Sequence, residues 1–468
     1  MKSYEINMTE GRILPKIVKF TLPVMAAGVL QLLYNAADMI VVGKFAEPGS
    51  LGAVGATSAL INLIVNLFVG LSVGACVSVA RYYGKGDNAG VSRTSNTAVV
   101  VALIGGVVLG IFGFFMCRPL LTLMGTPADV IDRAVLYMKI YFIGLPGNML
   151  YNFGSAVMRG CGDTRRPLHY LAAAGLVNVA LNLVFVIVFH MGVAGVAIAT
   201  ITAQAISAFL VLRFLFRTDG AGKISFKTLK IDKKELKLIT AIGLPSGIQG
   251  CVFSISNVLI QSSVNSFGSV VMDGNTAAQN IEGFVYISMN SVSQAALTFV
   301  SQNYGVKNYD RIKKAVGLCC ILAGAVGLIL GFAAFGFADN LISLYSNLEA
   351  PDPQVAYYAK LRLSMIATTY LTCGVMDVLS NCVRGIGHST VSMVVSLLGA
   401  CAFRVLWIYT VFAADHSLQT LYISYPVSWI ITDIAHLSCF IFLFRRLKKR
   451  KPPENADVTA EAPEDKPC

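Results

Sequence analysis

Charge is what this 468-residue chain has least of: Asp, Glu, Lys and Arg make up 13% of it, against 55% hydrophobic residues and a mean hydropathy of +0.67. An ordinary soluble domain carries about 25% charge, so this composition excludes one and points to a polytopic membrane protein. Catalytic signatures are missing as well. There is no HExxH, no GxSxG, no Walker loop and no GxGxxG between strand and helix patterns. An enzyme finds little support, and transport without a nucleotide-binding module must draw on an ion gradient or a partner. None of the 11 cysteines forms a CxxC pair with metal-ligand spacing. Those inside apolar runs, such as Cys76, Cys251, Cys319, Cys320, Cys401 and Cys439, read as small buried apolar residues. A cleavable signal is also not expected, because the first apolar run is too long and has no small-residue cleavage site.

What the chain has is apolar runs of about 20 residues or more, the length that spans a bilayer. Twelve are expected, at 17–43, 50–80, 94–117, 134–158, 168–189, 192–216, 238–264, 275–303, 314–338, 355–383, 389–413 and 418–444. The fold class is therefore an all-α polytopic membrane protein. The net charge of +12 invites a nucleic-acid partner, but its distribution refuses one. The amino terminus, alternate loops and carboxyl tail carry 30 of the 37 Lys and Arg, and the opposite loops carry only Lys44, Arg118 and Arg133. This bias places both termini in the cytoplasm, with anionic lipid as the neighbour of the basic loops. Four basic residues fall within spans: Lys139, Lys360, Arg362 and Arg404.

The chain also repeats itself. Gly243-Leu244-Pro245 echoes Thr21-Leu22-Pro23, and an asparagine stands twelve residues past each proline, at Asn35 and Asn257. Arg81-Tyr82-Tyr83-Gly84 aligns with Gln302-Asn303-Tyr304-Gly305, and Arg159-Gly160-Cys161-Gly162 with Arg384-Gly385-Ile386-Gly387. The offsets are 222, 221 and 225 residues, nearly constant, which argues for duplication. Six spans per half is an even number, so the halves enter from one side and are parallel repeats around a central cavity. The expected organisation is a first six-helix lobe at 1–216, a basic cytoplasmic linker at 217–237, a second lobe at 238–446 and a disordered tail at 447–468. Arg159 and Arg384 are expected to hold helix-end carbonyls and lipid phosphates.

Asp38 is the one acid inside an apolar run between the first and sixth spans. An ionisable residue at mid-bilayer costs roughly 2.5–3.5 kcal/mol, so it is a functional candidate by default. Gln31, Tyr34, Asn35 and Asp38 fall at i, i+3, i+4 and i+7 and form one polar face on a greasy helix. A polar stripe ending in a carboxylate suits a cation or a proton; the plainer reading is a helix–helix hydrogen bond.

These segments together, YNAADMIVVGKF, LGAVGATSALINLIVNLFVGLSVGACVSVARYYGKGD, MRGCGDTRRP and the run from Met191 to Thr200, resemble the multidrug and toxic compound extrusion (MATE) transporters over residues 15–446. The resemblance implies twelve helices in two lobes and export of organic cations in exchange for H⁺ or Na⁺. It puts the family's first-helix aspartate on Asp38. The fifth-helix asparagine falls on Asn178, the aspartate four residues on is replaced by Asn182, and the sixth-helix threonine falls on Thr200. With Asn35 these make the expected coupling site. Na⁺ could use Asp38, Asn178, Asn182 and Thr200, but the lost acid removes a charge a hard cation would want. A proton needs only one buried carboxylate, which favours H⁺. A tenth-helix aspartate used by some members matches Asp377, whereas their seventh-helix glutamate is replaced by Phe253.

In the second half, Gln279, Glu282, Tyr286 and Ser293 share a helix face. A carboxylate beside an aromatic ring suits an organic cation. The expected substrate-binding set is Gln31, Tyr34, Asn257, Gln279, Glu282, Tyr286 and Asp377. Asp377 and Arg404 could instead form a buried pair. Asp433 and His436, at i and i+3 in the last span, could relay protons or simply pack. No cofactor is expected beyond the coupling ion, and the chain is expected to work as a monomer in a bacterial cytoplasmic membrane. The nearest alternative function is a lipid-linked glycan flippase of similar architecture. Such a protein should place several Arg or Lys in its cavity.

Overall fold

In the computed structural model the chain is described over residues 4–47, 50–225, 227, 229–343 and 353–449, and every element there is helical. The first half runs α1 (Ile13–Phe45), α2 (Ser50–Gly84), α3 (Asn88–Leu123), α4 (Ile131–Gly160), α5 (Arg165–Leu183) with a π turn at Val184–Val188, and α6 (Gly192–Arg217). The second half opens with α7 (Lys233–Asn265), α8 (Ser269–Gly305), α9 (Tyr309–Gly336) and the short α10 (Ala338–Ser343). Then α11 (Pro353–Met365) leads through a 3₁₀ turn into α12 (Tyr370–Gly385), and π turns at Leu397–Ala402 and Ile408–Phe412 join α13 (Ser389–Ser396) and α14 (Phe403–Trp407) into one rod before α15 (Leu418–Lys449). Counting α11 with α12 and α13 with α14 gives twelve crossings.

Ten of these are long and apolar enough to cross a membrane by composition. The other two, α4 and α8, are 30 and 37 residues long but more polar. Part of that polarity faces cavities: Asn148 and Asn152 of α4 line one, and Gln279, Glu282 and Asn290 of α8 line another. Three helices, α3, α7 and α9, start at side-chain caps that satisfy first-turn backbone N–H groups with no partner within the helix. Asp87 accepts from Gly90, Asp232 from Lys234 and Glu235, and Asn308 from Arg311. The cap at Asp232 starts α7 inside the segment 217–237, so only part of it is irregular. At the far end α15 continues to Lys449, and residues 450–468 lie outside the described residues.

Each half has its own apolar core. Phe142, Leu145, Met149 and Phe153 centre the first; Met289, Tyr370, Tyr422 and Trp429 centre the second. A third cluster ties the start of the chain to the second half, with Met8, Ile17 and Phe20 packed among Phe299, Val300 and Val383. Further along, α1 leaves that cluster and lies on α5 in the first half. It therefore bridges the two.

Between the halves, α2 packs on α7 and α8. The backbones cross so closely that a Cβ on Gly70 would sit 2.2 Å from the backbone of Gly247, which only glycine allows. Toward the end of the bundle where α1 begins and α15 finishes, hydrogen bonds take over. Arg81 Nη2 donates to the Gly385 carbonyl at 3.1 Å, and Gln302 Nε2 to the Gly160 carbonyl at 3.0 Å. The amino-terminal segment straps across this seam. Met8 N donates to Gln302 Oε1 at 2.8 Å, and Tyr83 Oη to Glu5 Oε2 at 3.1 Å. The carboxyl end of α15 arrives at the same place, where Lys448 pairs with Asp310 at 3.4 Å.

Candidate functional site

Two internal cavities hold nearly all the polar residues the sequence singles out. The first, about 130 Å³, lies within the first half between α1, α4, α5 and α6. It exists because α1 can lie flat on α5: a Cβ on Gly175 would fall 1.9 Å from the Tyr34 ring, so glycine opens the seat for that ring. Tyr34 Oη then donates to the Ala172 carbonyl at 3.2 Å. One helical turn on, Asp38 reaches the fifth and sixth spans. It accepts from Asn182 Nδ2 at 2.5 Å and from Thr200 Oγ1 at 3.5 Å, and Asn182 Nδ2 also lies 3.4 Å from Asn178 Oδ1. Asn178 and Asn182 are buried, and Asp38 is half-buried.

No Lys or Arg pairs with Asp38 among the described residues, and its ligands are an amide and a hydroxyl. A small cation would find here the Asp38 carboxylate and the oxygens of Asn178 and Thr200, while Asn182 presents its NH₂ to Asp38 and leaves its buried Oδ1 without a partner among the described residues. The four residues expected to couple an ion are thus brought together, and Asn35 lines the same cavity beside Gln31, at 3.4 Å from Gln31 Nε2. Asn148, Asn152, Gln204 and Ser207 also line it and were not expected. Their signal was available as i, i+4 and i, i+3 polar pairs inside the fourth and sixth spans.

The second cavity, about 810 Å³, is walled by α2, α7, α8, α11, α12, α14 and α15. Of the expected substrate-binding residues, Asn257, Gln279, Glu282, Tyr286 and Asp377 line it, while Gln31 and Tyr34 belong to the first cavity. Glu282 is not free. Arg362 grips it with two bonds, Nε to Oε1 at 3.0 Å and Nη2 to Oε2 at 2.7 Å, and donates its Nη1 to Asn275 Oδ1 at 2.8 Å. Both side chains are about 5% exposed, so this is a buried pair with its remaining donor satisfied.

The alternative pairing of Asp377 with Arg404 does not form. Asp377 accepts from Asn290 Nδ2 at 3.0 Å and from the Tyr286 hydroxyl. Arg404 donates Nε to Ser428 Oγ at 2.8 Å and lies over Tyr425, 4.2 Å from the ring centroid. Ring stacking and a hydroxyl occupy the guanidinium in place of a carboxylate. Arg384 departs from expectation too. It turns into the cavity, giving Nη1 to Asn381 Oδ1 at 3.0 Å and Nη2 to Gln249 Oε1 at 2.6 Å, while the α12 end it was expected to cap is held by Arg81. In the last span His436 Nε2 lies 3.0 Å from Ser396 Oγ, while its Nδ1 and Asp433 Oδ1 are buried without a partner. Neither residue lines either cavity.

The MatE family model matches this chain at residues 23–184 and again at 245–410, once in each half and starting on Pro23 and Pro245 themselves. The chain belongs to the MatE family. Among curated MatE-type relatives, the probable multidrug resistance protein YpnP of Bacillus subtilis is 29% identical, covering 86% of this chain and 89% of its own. The probable multidrug resistance protein NorM of Thermotoga maritima is 23% identical, covering 86% and 87%. Among solved structures, an outward-facing multidrug resistance MATE family transporter of the MOP superfamily superposes with a TM-score of 0.87 at 22% identity, over 96% of this chain and all of that one. A MOP superfamily transporter from Pyrococcus furiosus, described as having a binding pocket of reversed polarity, superposes with a TM-score of 0.88 at 22% identity over the same shares. The fold is the twelve-helix MATE architecture, and the protein is a multi-pass multidrug efflux transporter of the cell membrane.

Proposed function

We propose that this transporter is secondary active and exports small organic molecules with a cationic centre in exchange for protons, as a monomer, by alternating access. Asp38 is the observation that carries the reading: a carboxylate in a membrane span with no basic partner, facing an amide and a hydroxyl. Asn182 turns its NH₂ toward Asp38, so it stabilises the ionised carboxylate rather than sharing a cation with it. Protonating Asp38 removes the charge that holds Asn182 and shifts the balance between the conformations of α1 against α5 and α6. With one formal negative charge in this pocket, dehydration of Na⁺ is poorly offset, whereas a proton needs no further ligand.

The second cavity is the substrate site in this reading, with Asp377 and Tyr286 as the wall for a cationic centre. Basic residues cluster at the end where the amino-terminal segment and the carboxyl end of α15 come together, and the positive-inside bias supports a reading in which that end faces the cytoplasm. Contact between the halves there makes the state described here the one closed to the cytoplasm. Proteoliposomes loaded with a fluorescent cationic dye test the reading. Asp38→Asn should abolish gradient-driven efflux at normal expression and folding, and efflux at the wild-type rate in that variant would overturn the assignment.

A further inference from the structure

The charges lining the second cavity do not suit a simple cation. Glu282 and Arg362 neutralise each other through two hydrogen bonds. That leaves one carboxylate, Asp377, against two guanidinium groups, Arg384 and Arg404, that form no salt bridge among the described residues. Arg384 is held by the neutral amides of Asn381 and Gln249 and lies within electrostatic reach of Asp377. Arg404 has no such compensation. It is 3% exposed, and among the described residues its buried Nη2 has no hydrogen-bond partner and its one side-chain hydrogen bond goes to the Ser428 hydroxyl. A charged group buried in a span without an opposite charge is costly and marks a functional position. A guanidinium is also the side chain whose planar fork matches a carboxylate. Around it stand Tyr425, at 4.2 Å, and Trp429, with ring centroids 4.2 Å and 5.6 Å from the guanidinium carbon, which provide flat apolar faces beside the unsatisfied donor.

We propose that the second cavity recognises a carboxylate carried on an aromatic body, docked on Arg404 against Tyr425 and Trp429, so that the transported molecules are amphoteric rather than purely cationic. The cationic centre of such a molecule faces Asp377 and Tyr286, and its carboxylate supplies the negative charge that the cavity lacks. This deepens the functional reading given above and rests on the second cavity being the substrate site. It does not depend on which ion drives transport.

The test is equilibrium binding to the full-length protein in lipid nanodiscs, with no gradient imposed. The probes are a rhodamine with a free benzoate and its methyl ester, which share one ring system and differ in the carboxylate. The wild type should bind the free acid about ten-fold more tightly than the ester, the scale of one well-formed charged hydrogen bond. Arg404→Gln should bring the two affinities together by weakening the acid, with the cationic ester bound no less tightly because a like charge has been removed from the cavity. Arg118→Gln, at an exposed ion pair with Asp132, should keep the preference. Equal binding of acid and ester by the wild type overturns the proposal without any variant having to fold, and so does an undiminished preference in Arg404→Gln. Because no gradient enters, either outcome leaves the ion-coupling reading standing, and failure of that reading leaves the binding preference to be judged alone.

Discussion

Asp38 and Asn182 form the contact on which ion choice turns. Asn182→Asp places a second carboxylate where the amide NH₂ now donates, so the pocket gains a charge and an oxygen ligand. Under the proton reading, transport by this variant should gain a dependence on Na⁺ relative to the wild type, measured as efflux against external Na⁺ at fixed pH. A different consequence attaches to Glu282. The sequence reading gave it a cation to bind, but the structure gives it Arg362. Glu282→Gln would leave a guanidinium buried without its counter-charge, a loss on the order of 3–5 kcal/mol. The expected result is a marked drop in melting temperature, followed with a thiol-reactive dye, and an unchanged melt would show that the pair carries no structural weight. The difference in legibility is one of sequence distance. Asn178 and Asn182 announce themselves at i, i+4, whereas Glu282 and Arg362 are 80 residues apart and meet only once α8 packs on α11. The same holds for Arg404, whose aromatic partners sit on α15 and gave no local sign that they would displace Asp377.

Among the helices, span positions were legible because apolar runs of this length have one stable outcome in a bilayer. The π turns in the fifth and eleventh spans were not, since a π turn is a local slip of hydrogen-bond register that hydropathy does not record. Nor did sequence show that α1 starts in the core of one half and ends in the other. Gly70→Val puts a branched side chain where a single Cβ already meets the Gly247 backbone at 2.2 Å, and it should wedge α2 from α7. Cys76, buried on α2 beside Thr298, should then become reactive to maleimide, whereas continued protection would mean that the crossing can adjust.

The strap before α1 has its own pH dependence. Burial, opposed by the Tyr83 hydrogen bond and reinforced by nearby Asp163, raises the Glu5 carboxyl above its ordinary value of 4.5. Its folded-state value being raised, docking of the strap is tightest below that ordinary value and weakens as pH rises through the raised one. Amide protection over residues 4–12, corrected for the intrinsic pH dependence of exchange, should fall across that window, and Glu5→Gln should remove the fall.

For the whole molecule, duplication was legible from three motif pairs at one offset, and the family model repeats that offset by matching each half. What duplication did not foretell is the division of labour: a small cavity with one carboxylate inside the first half, and a large, arginine-rich one walled mainly by the second. The halves keep the same scaffold while their polar residues have diverged, so equivalent positions cannot be assigned equivalent roles. The account stands on Asp38 being a proton site that drives export. Its most direct test is efflux from proteoliposomes under an imposed pH gradient with no Na⁺ present, set against a Na⁺ gradient at matched pH. The account predicts transport with the pH gradient alone; transport that runs only when Na⁺ is supplied would contradict it.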